Sequence, residues 1–524
     1  MKSLPILFVL IFAATCCLAA DPETTPTLKK IPAGKPRNIV LILTDDHRYD
    51  AMGFMGHPFL ETPHMDSLAK KGAHLQNAFV TTSLCSPSRA SILSGLYAHR
   101  HRVVDNNIPV PPGLTFFPQY LQQAGYETAF VGKWHMGSDN DTPQPGFNHW
   151  VSFKGQGTYW PNPNGLNVNG RQVPQKGYLT DELTDYAVDW LDGRSGDKSF
   201  LLYLSHKAVH NDLLNDGKQE GKLLLPGVDG PMGFIPAPRH AGRYANESFT
   251  PPESMAATPR NVADKPMWVQ NRRNSRHGVD FPFGNKVEIA TIYRQYMETL
   301  LAVDESVGRV IEALRRKQAL ESTLFIYMGD NGYAWGEHGM IDKRSAYEES
   351  MRIPLLVHCP ELIAAGTIVK PMVANIDIAP TILAAAGLEP PQSIDGRSFL
   401  PLLQGRTIPW RDKLLYEYYW EWNFPMTPTL HAIRSDRYKF IRPYGLWDTE
   451  ELYDLQQDPH ELINLIRDPQ HQPIVKQMKE QLFALLKESQ GMAIPMFEDR
   501  GGLSNQRSTS GAPQAPFPKQ VFRP

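Results

Sequence analysis

Cysteine is scarce in this chain, with 4 in 524 residues, at positions 16, 17, 85 and 359. Cys16 and Cys17 fall in an apolar N-terminal stretch, so the body of the chain keeps only Cys85 and Cys359. A disulfide-built scaffold is therefore excluded. An excess of one charge sign is missing as well: 53 basic against 55 acidic residues give a formal net charge of −2. That leaves no electrostatic case for a nucleic acid or an anionic membrane surface as partner. Beyond the first stretch, no apolar run is long enough to span a bilayer, and no internal repeat is visible. What is present is ordinary globular material, 41% hydrophobic and 21% charged. The length suggests one large domain with a smaller one.

Met1-Lys2 precedes an apolar run from Leu4 to Ala14, followed by small residues up to Ala20 and then Asp21. A charged start, a short hydrophobic core and a small-residue site make a secretory leader, residues 1–20, with export to the periplasm or the medium. A lipid anchor on Cys16 is the alternative, although the residues before it match an attachment box poorly. Residues 21–36 read as a linker rich in Pro, Thr and Lys.

From Arg37 the chain alternates short apolar β-branched runs with amphipathic helical stretches. That pattern predicts an α/β fold, a mostly parallel central sheet sandwiched by helices, over residues 37–408. Four of the expected buried strands end in polar groups. Asn38-Ile39-Val40-Leu41-Ile42-Leu43 leads to Asp45 and Asp46. The strand from Glu127 to Val131 delivers Lys133 and His135. The strand from Ser199 to Leu204 delivers His206 and His210, and the one from Thr323 to Met328 delivers Asp330 and Asn331. Ligands in such sheets collect at the carboxyl ends of strands, so these groups should converge on one cleft. Cys359 follows the apolar run Pro354 to Val357 and reads as a buried structural thiol. Residues 409–491 change character, to short strand-like runs without intervening helices and then a helix from Pro473 to Gly491. They predict a small C-terminal antiparallel sheet with a packed helix. Residues 492–524 read as a loosely ordered tail.

The most specific stretch is Leu84-Cys85-Ser86-Pro87-Ser88-Arg89-Ala90-Ser91-Ile92-Leu93-Ser94-Gly95. Pro87 suits a first helical turn, where its missing N–H costs nothing. Cys85 would then lie at the positive end of a helix, with Arg89 one turn on. This C-x-P-x-R run with A-S-I-L-S-G behind it resembles the signature of type I sulfatases, members of the alkaline-phosphatase-like superfamily. In that family the cysteine is oxidised to formylglycine. The resemblance extends from about Arg37 to Leu465 and includes Gly132-Lys133-Trp134-His135.

The resemblance implies a formylglycine nucleophile made from Cys85 by a formylglycine-generating enzyme. It also implies one Ca²⁺ held by Asp45, Asp46, Asp330 and Asn331, oxygen donors that suit this cation. Arg89 and His135 would orient and activate the nucleophile, Lys133 and Lys343 would neutralise sulfate oxygens, and His210 would protonate the leaving oxygen. The family often reads H-x-P-H where this chain has His206-Lys207-Ala208-Val209-His210. Residues 211–286, irregular and rich in Pro, Gly, Arg and Asn, read as an insertion that shapes the substrate pocket. Together with Gly332 to Gly339, parts of it look like the N-acetylglucosamine-6-sulfatase branch. His206, Trp268, Arg276, His277 and Asp280 are the substrate-binding candidates. The implied activity is exo-acting hydrolysis of a sulfated carbohydrate. Two alternatives stay open: a phosphatase or phosphonate monoester hydrolase of the same superfamily, and a non-catalytic glycan-binding relative that keeps Cys85 as a thiol.

Overall fold

The computed structural model describes residues 25–495 apart from 33, 138, 162–163, 197, 214–231, 276, 281–287, 422–423 and 445–447. The expected leader and nearly all of the expected tail lie outside the described residues.

The large sheet has ten strands: β1 (Asn38–Thr44), β2 (Ala73–Leu75), β3 (Glu127–Lys133), β4 (His149–Phe153), β5 (Leu166–Val168), β6 (Arg171–Val173), β7 (Phe200–Ser205), β8 (Thr323–Gly329), β9 (Leu355–His358) and β10 (Thr367–Val369). Their spatial order is β10-β2-β9-β8-β1-β7-β3-β4-β5-β6. The central run β8-β1-β7-β3-β4 is parallel throughout, while β9, β5 and β6 pair antiparallel with their neighbours. The α/β sandwich expected from the alternating pattern is the observed fold.

Alternation along β1 shows how the two layers are built. Val40 and Ile42 enter one core with the helices α3 (Leu179–Gly193) and α4 (Ile289–Arg316), while Ile39, Leu41 and Leu43 enter the other with α2 (Cys85–Ser94) and α5 (Ile378–Ala385). All five strand residues are fully buried, and each such side chain stabilises the fold by roughly 1.5–3 kcal/mol. The remaining long helices are α1 (Pro63–Lys71), which joins the α4 layer through Met65 and Leu68, and α6 (Gln472–Glu488).

The C-terminal sheet is antiparallel in the order β11 (Lys413–Tyr418), β12 (Thr429–Ser435), β13 (Tyr438–Tyr444) and β14 (Glu451–Asp454). Helix α6 covers one face through Met478, Leu482 and Leu486. The other face, Leu414, Tyr416, Tyr418, Leu430 and Tyr453, packs on Phe79, Leu84, Tyr347 and Met351 of the large body. It therefore lies directly behind the loop that delivers Cys85.

Two sequence expectations shift. The strand read from Arg352 begins only at Leu355, because its first residues close the short helix Glu348–Met351. The insertion, irregular as expected, contains the short helices Pro259–Val262 and Met267–Arg272. Much of its described part is packed interior: Phe234 lies edge-on to Tyr296 and against Trp335.

Candidate active site

Helix α2 begins at Cys85 and all ten of its residues are buried. Leu84, at the N-cap, provides no side-chain cap; Asn106 Oδ1 accepts the Ser86 N–H at 3.0 Å instead. The helix ends at Gly95, whose φ of 73° is in the left-handed region and whose N–H returns to Ser91 O at 2.8 Å. A polar helix this deeply buried needs partners for its hydroxyls. Ser86 Oγ donates to the His135 carbonyl at 2.9 Å, and Ser91 Oγ meets His101 Nε2 at 3.0 Å.

Cys85 faces the ends of β1 and β8. Its Sγ lies 3.4 Å from Asp45 Oδ1, and Lys343 Nζ donates to it at 3.1 Å. Burial and the neighbouring Asp45 push the thiol up to about 12. The unmodified group is thus no thiolate at neutral pH and is a poor nucleophile as it stands.

Asp45, Asp46 and Asp330 each place a carboxylate oxygen within 4.8 Å of the others, all buried. Asn331 donates through Nδ2 to Asp46 Oδ1 at 2.7 Å, while its buried Oδ1 has no hydrogen-bond partner. Burial and the adjacent acids push Asp46 up to about 7, although Lys343 opposes them. Asp330 is raised by burial and by Asp45. Burial also acts to raise Asp45, but Lys133, His210, Arg89 and Lys343 outweigh it and hold that carboxyl well below its usual range. Three buried acids that repel one another, beside an orphaned amide oxygen, form an all-oxygen donor set that fits a hard dication such as Ca²⁺.

Arg89 holds this cluster from behind. Its guanidinium reaches Asp330 Oδ2 through Nε at 3.0 Å, Asp45 Oδ2 at 3.3 Å, Ser205 Oγ at 2.6 Å and the Lys133 carbonyl at 2.8 Å. Every direction of the fork is therefore taken by protein. Lys133 pairs with Asp45 and donates to Gln156 Oε1 at 2.5 Å; Lys343 pairs with Asp46. Gly132, with φ of 124°, permits this approach, since a Cβ there would lie 1.8 Å from the Ser205 carbonyl oxygen.

Two histidines border the cluster. His210 Nδ1 donates to the Asn211 carbonyl at 2.7 Å, leaving Nε2 3.9 Å from Asp46 Oδ2. Tyr159 holds the loop by donating to the His210 carbonyl at 2.8 Å. His135 has φ of 65° and a buried Nδ1 without a hydrogen-bond partner. Burial and Lys133 hold both imidazoles well below their ordinary range, so both are neutral.

The substrate-binding candidates fare differently, and two need correction. His206 is fully buried, with Nε2 2.9 Å from Ser306 Oγ on α4, so it belongs to the helical layer and not to the cleft. Trp268 is 4% exposed and packed among Leu84, Met340 and Tyr347, which leaves no open ring face for stacking. Arg276 lies outside the described residues. His277 approaches Oδ1 of Asp342, the residue before Lys343, at 3.4 Å and lies edge-on to Phe424. Asp280 accepts from Arg273 Nε at 3.2 Å and braces the insertion. The sequence reading missed Gln156, Asn106 and Ser205. Gln156 follows a strand, His149–Phe153, that ends in polar residues as the others do.

Comparison with known proteins identifies the family. The family described as Sulfatase matches residues 37–388. The chain belongs to the sulfatase family. It is a hydrolase of sulfate esters. The family described as N-sulphoglucosamine sulphohydrolase, C-terminal, matches residues 336–488 of this sulfatase. An N-acetylglucosamine-6-O-sulfatase of Bacteroides thetaiotaomicron is 32% identical to it, covering 94% of this chain and 91% of the relative. A solved structure in complex with its substrate D-glucosamine-2-N,6-O-disulfate superposes with a TM-score of 0.76 at 28% identity, over 87% of this chain and 99% of that one. The phosphonate monoester hydrolase of Agrobacterium radiobacter shares the fold, with a TM-score of 0.66 at 22% identity over 89% of this chain and 99% of that one.

Proposed function

We propose that this sulfatase is an exported, exo-acting enzyme that removes the 6-O-sulfate of N-acetylglucosamine or a closely related glycan. We further propose that Cys85 is converted to formylglycine by a formylglycine-generating enzyme, and that Asp45, Asp46, Asp330 and Asn331 hold one Ca²⁺. The observation that carries the reading is the position of Cys85 Sγ, within 3.4 Å of both Asp45 Oδ1 and Lys343 Nζ. A nucleophile there sits beside the cation donors and a fixed ammonium group. The likeness along almost the whole chain to an N-acetylglucosamine-6-O-sulfatase supports the substrate. The N-terminal pattern supports export, and no helix among the described residues is long and apolar enough to cross a membrane.

When present, hydrated formylglycine supplies the oxygen nucleophile for sulfur and the cation offsets the charge of the sulfate. The chain does the rest. Lys133 and Lys343, both buried, would bring two ammonium groups to the sulfate oxygens that gain charge, a preorganised arrangement. Arg89 fixes Asp45 and Asp330 and keeps the donor cage in place. His210 has Nδ1 committed to the Asn211 carbonyl, so its Nε2 is free to take up a proton as the sulfate binds and to pass it to the departing sugar oxygen. His135, neutral and buried near Lys133 and Asp45, would hold a proton at the nucleophile.

Intact-mass measurement of the peptide containing Cys85 tests the first step: an aldehyde in place of the thiol is expected, and a free thiol in the active enzyme would overturn it. A panel of 6-sulfated and 4-sulfated N-acetylhexosamines and sulfated galactans tests the second. The expected preference is N-acetylglucosamine 6-sulfate, and a preference for a secondary-position sulfate would refute the substrate assignment alone. Chelation is expected to lower both activity and melting temperature, with calcium restoring both. Stoichiometric zinc at the Asp45 cluster would favour phosphatase chemistry instead.

A further inference from the structure

A second cluster lies where the large body meets the C-terminal sheet. His338, Glu349 and Glu461 each bring a ligand atom within 4.8 Å of the others. They are 4%, 5% and 0% exposed. Both ring nitrogens of His338 and Oε2 of Glu349 lack any hydrogen-bond partner. None of the surrounding cations pairs with Glu349: Arg48 is bound to Asp50 and Glu337, Arg434 to Glu348, Lys439 to Glu348 and to Glu461 of the cluster, and Lys265 to Tyr453 Oη and the Glu461 carbonyl. Glu349 is thereby left without an ion-pair partner among the described residues. An unpaired carboxylate and an unpaired imidazole buried side by side are costly unless something between them takes up both.

We propose that His338, Glu349 and Glu461 form a structural site for one transition-series dication of the Zn²⁺ class. One imidazole with two carboxylates is a borderline donor set, unlike the all-oxygen cluster at Asp45, Asp46 and Asp330. The state of each ligand suits this role. Burial, with Lys265 and Lys439 nearby, holds His338 well below its ordinary range, so its lone pair is free. Its ring is fixed by stacking on Tyr347 with centroids 3.8 Å apart. Glu461 uses Oε2 to accept the Glu348 N–H at 2.8 Å and Oε1 to pair with Lys439, and each oxygen retains a further lone pair. Glu461 follows β14, whereas His338 and Glu349 flank the segment carrying Lys343. The ion thus cross-links the C-terminal sheet to the segment that presents an active-site lysine.

The proposal does not depend on the substrate or on formylglycine. Elemental analysis of the full-length protein, purified without chelator, is expected to find one zinc-class ion per chain in addition to calcium. Expression in zinc-depleted medium with Co²⁺ should give visible d–d absorption. His338→Asn and Glu349→Gln should each abolish that band and leave calcium content unchanged. Native protein containing only calcium overturns the proposal and assigns a proton to Glu349 instead. A Co²⁺ band that survives both substitutions overturns it equally, because the ion then sits elsewhere. If either variant fails to fold, the metal content of the unaltered protein decides the question.

Discussion

At the scale of single residues, the site combines groups that hold and groups that react, and substitution should separate them. Cys85→Ala removes the proposed nucleophile but leaves a small residue at a helix start. We expect turnover to fall by at least about 1,000-fold while stability changes by about 1 kcal/mol or less. Turnover near that of the unaltered enzyme would rule out the covalent route. His210→Gln isolates the acid step. On the sugar sulfate it should cost about 100-fold or more, and much less on an activated aryl sulfate whose leaving oxygen needs no proton. An equal loss on both substrates would mean that His210 only shapes the pocket.

The acids and the lysine at the ends of the central strands were legible in the sequence, because each sits at the carboxyl end of a buried run. Asp45, Lys133 and Asp330 come together because parallel neighbours end at one edge. His206 was misread because alternation was not carried one residue past the strand. Leu202 and Leu204 enter the α3–α4 layer, and His206, two further on, follows them to Ser306. Ser205, of opposite parity, turns to Arg89. Trp268 carried no such signal. Its burial depends on the C-terminal sheet arriving about 150 residues later in the chain, a non-local contact that no local pattern encodes.

At the scale of elements, the C-terminal end of α6 is tied to the large body by one histidine. His99 Nδ1 pairs with Glu417 at 2.8 Å, and its Nε2 meets the Ser489 carbonyl at 2.7 Å. Burial acts to lower His99, but the hydrogen bond and charge of Glu417 outweigh it and raise the imidazole above its unfolded value near 6.5. Burial likewise acts to raise Glu417, and His99 outweighs it, holding the carboxyl below 4.5. The histidine contribution is therefore complete below 6.5 and is lost as pH rises through the raised value. The carboxylate contribution is complete above 4.5 and is lost as pH falls through the lowered one. The pair acts at full strength between 4.5 and 6.5. His99→Gln should cost about 3 kcal/mol in that window and progressively less at alkaline pH. Urea melts of both proteins across pH check this, and a cost that does not vary with pH would mean that His99 is neutral throughout. The helix itself was readable from the spacing of Met478, Leu482 and Leu486, but its anchor was not, because His99 lies almost 400 residues upstream of Ser489.

At the scale of the whole molecule, the division expected near residue 409 raises the question of whether two units fold apart. The aromatic face of the C-terminal sheet shares one apolar cluster with Phe79, Leu84, Tyr347 and Met351. Leu84 immediately precedes Cys85, and Tyr347 follows Lys343 by four residues, so the sheet backs two active-site elements at once. Arg344 reinforces the contact, reaching Glu421 through Nε at 2.7 Å and lying over Phe424 at 3.7 Å. A shared interior of this kind favours a single cooperative transition, since neither side can lose it alone without exposing apolar surface to water. Tyr416 is fully buried at its centre. Tyr416→Ala should therefore destabilise the whole chain by about 3–5 kcal/mol, as truncation of a large core ring does. Calorimetry should still show one transition, shifted down, with sulfatase activity lost at the same temperature as the far-ultraviolet signal. Two resolved transitions, with activity surviving the first, would show that the C-terminal sheet is an independent domain and that its contact with the cleft is dispensable.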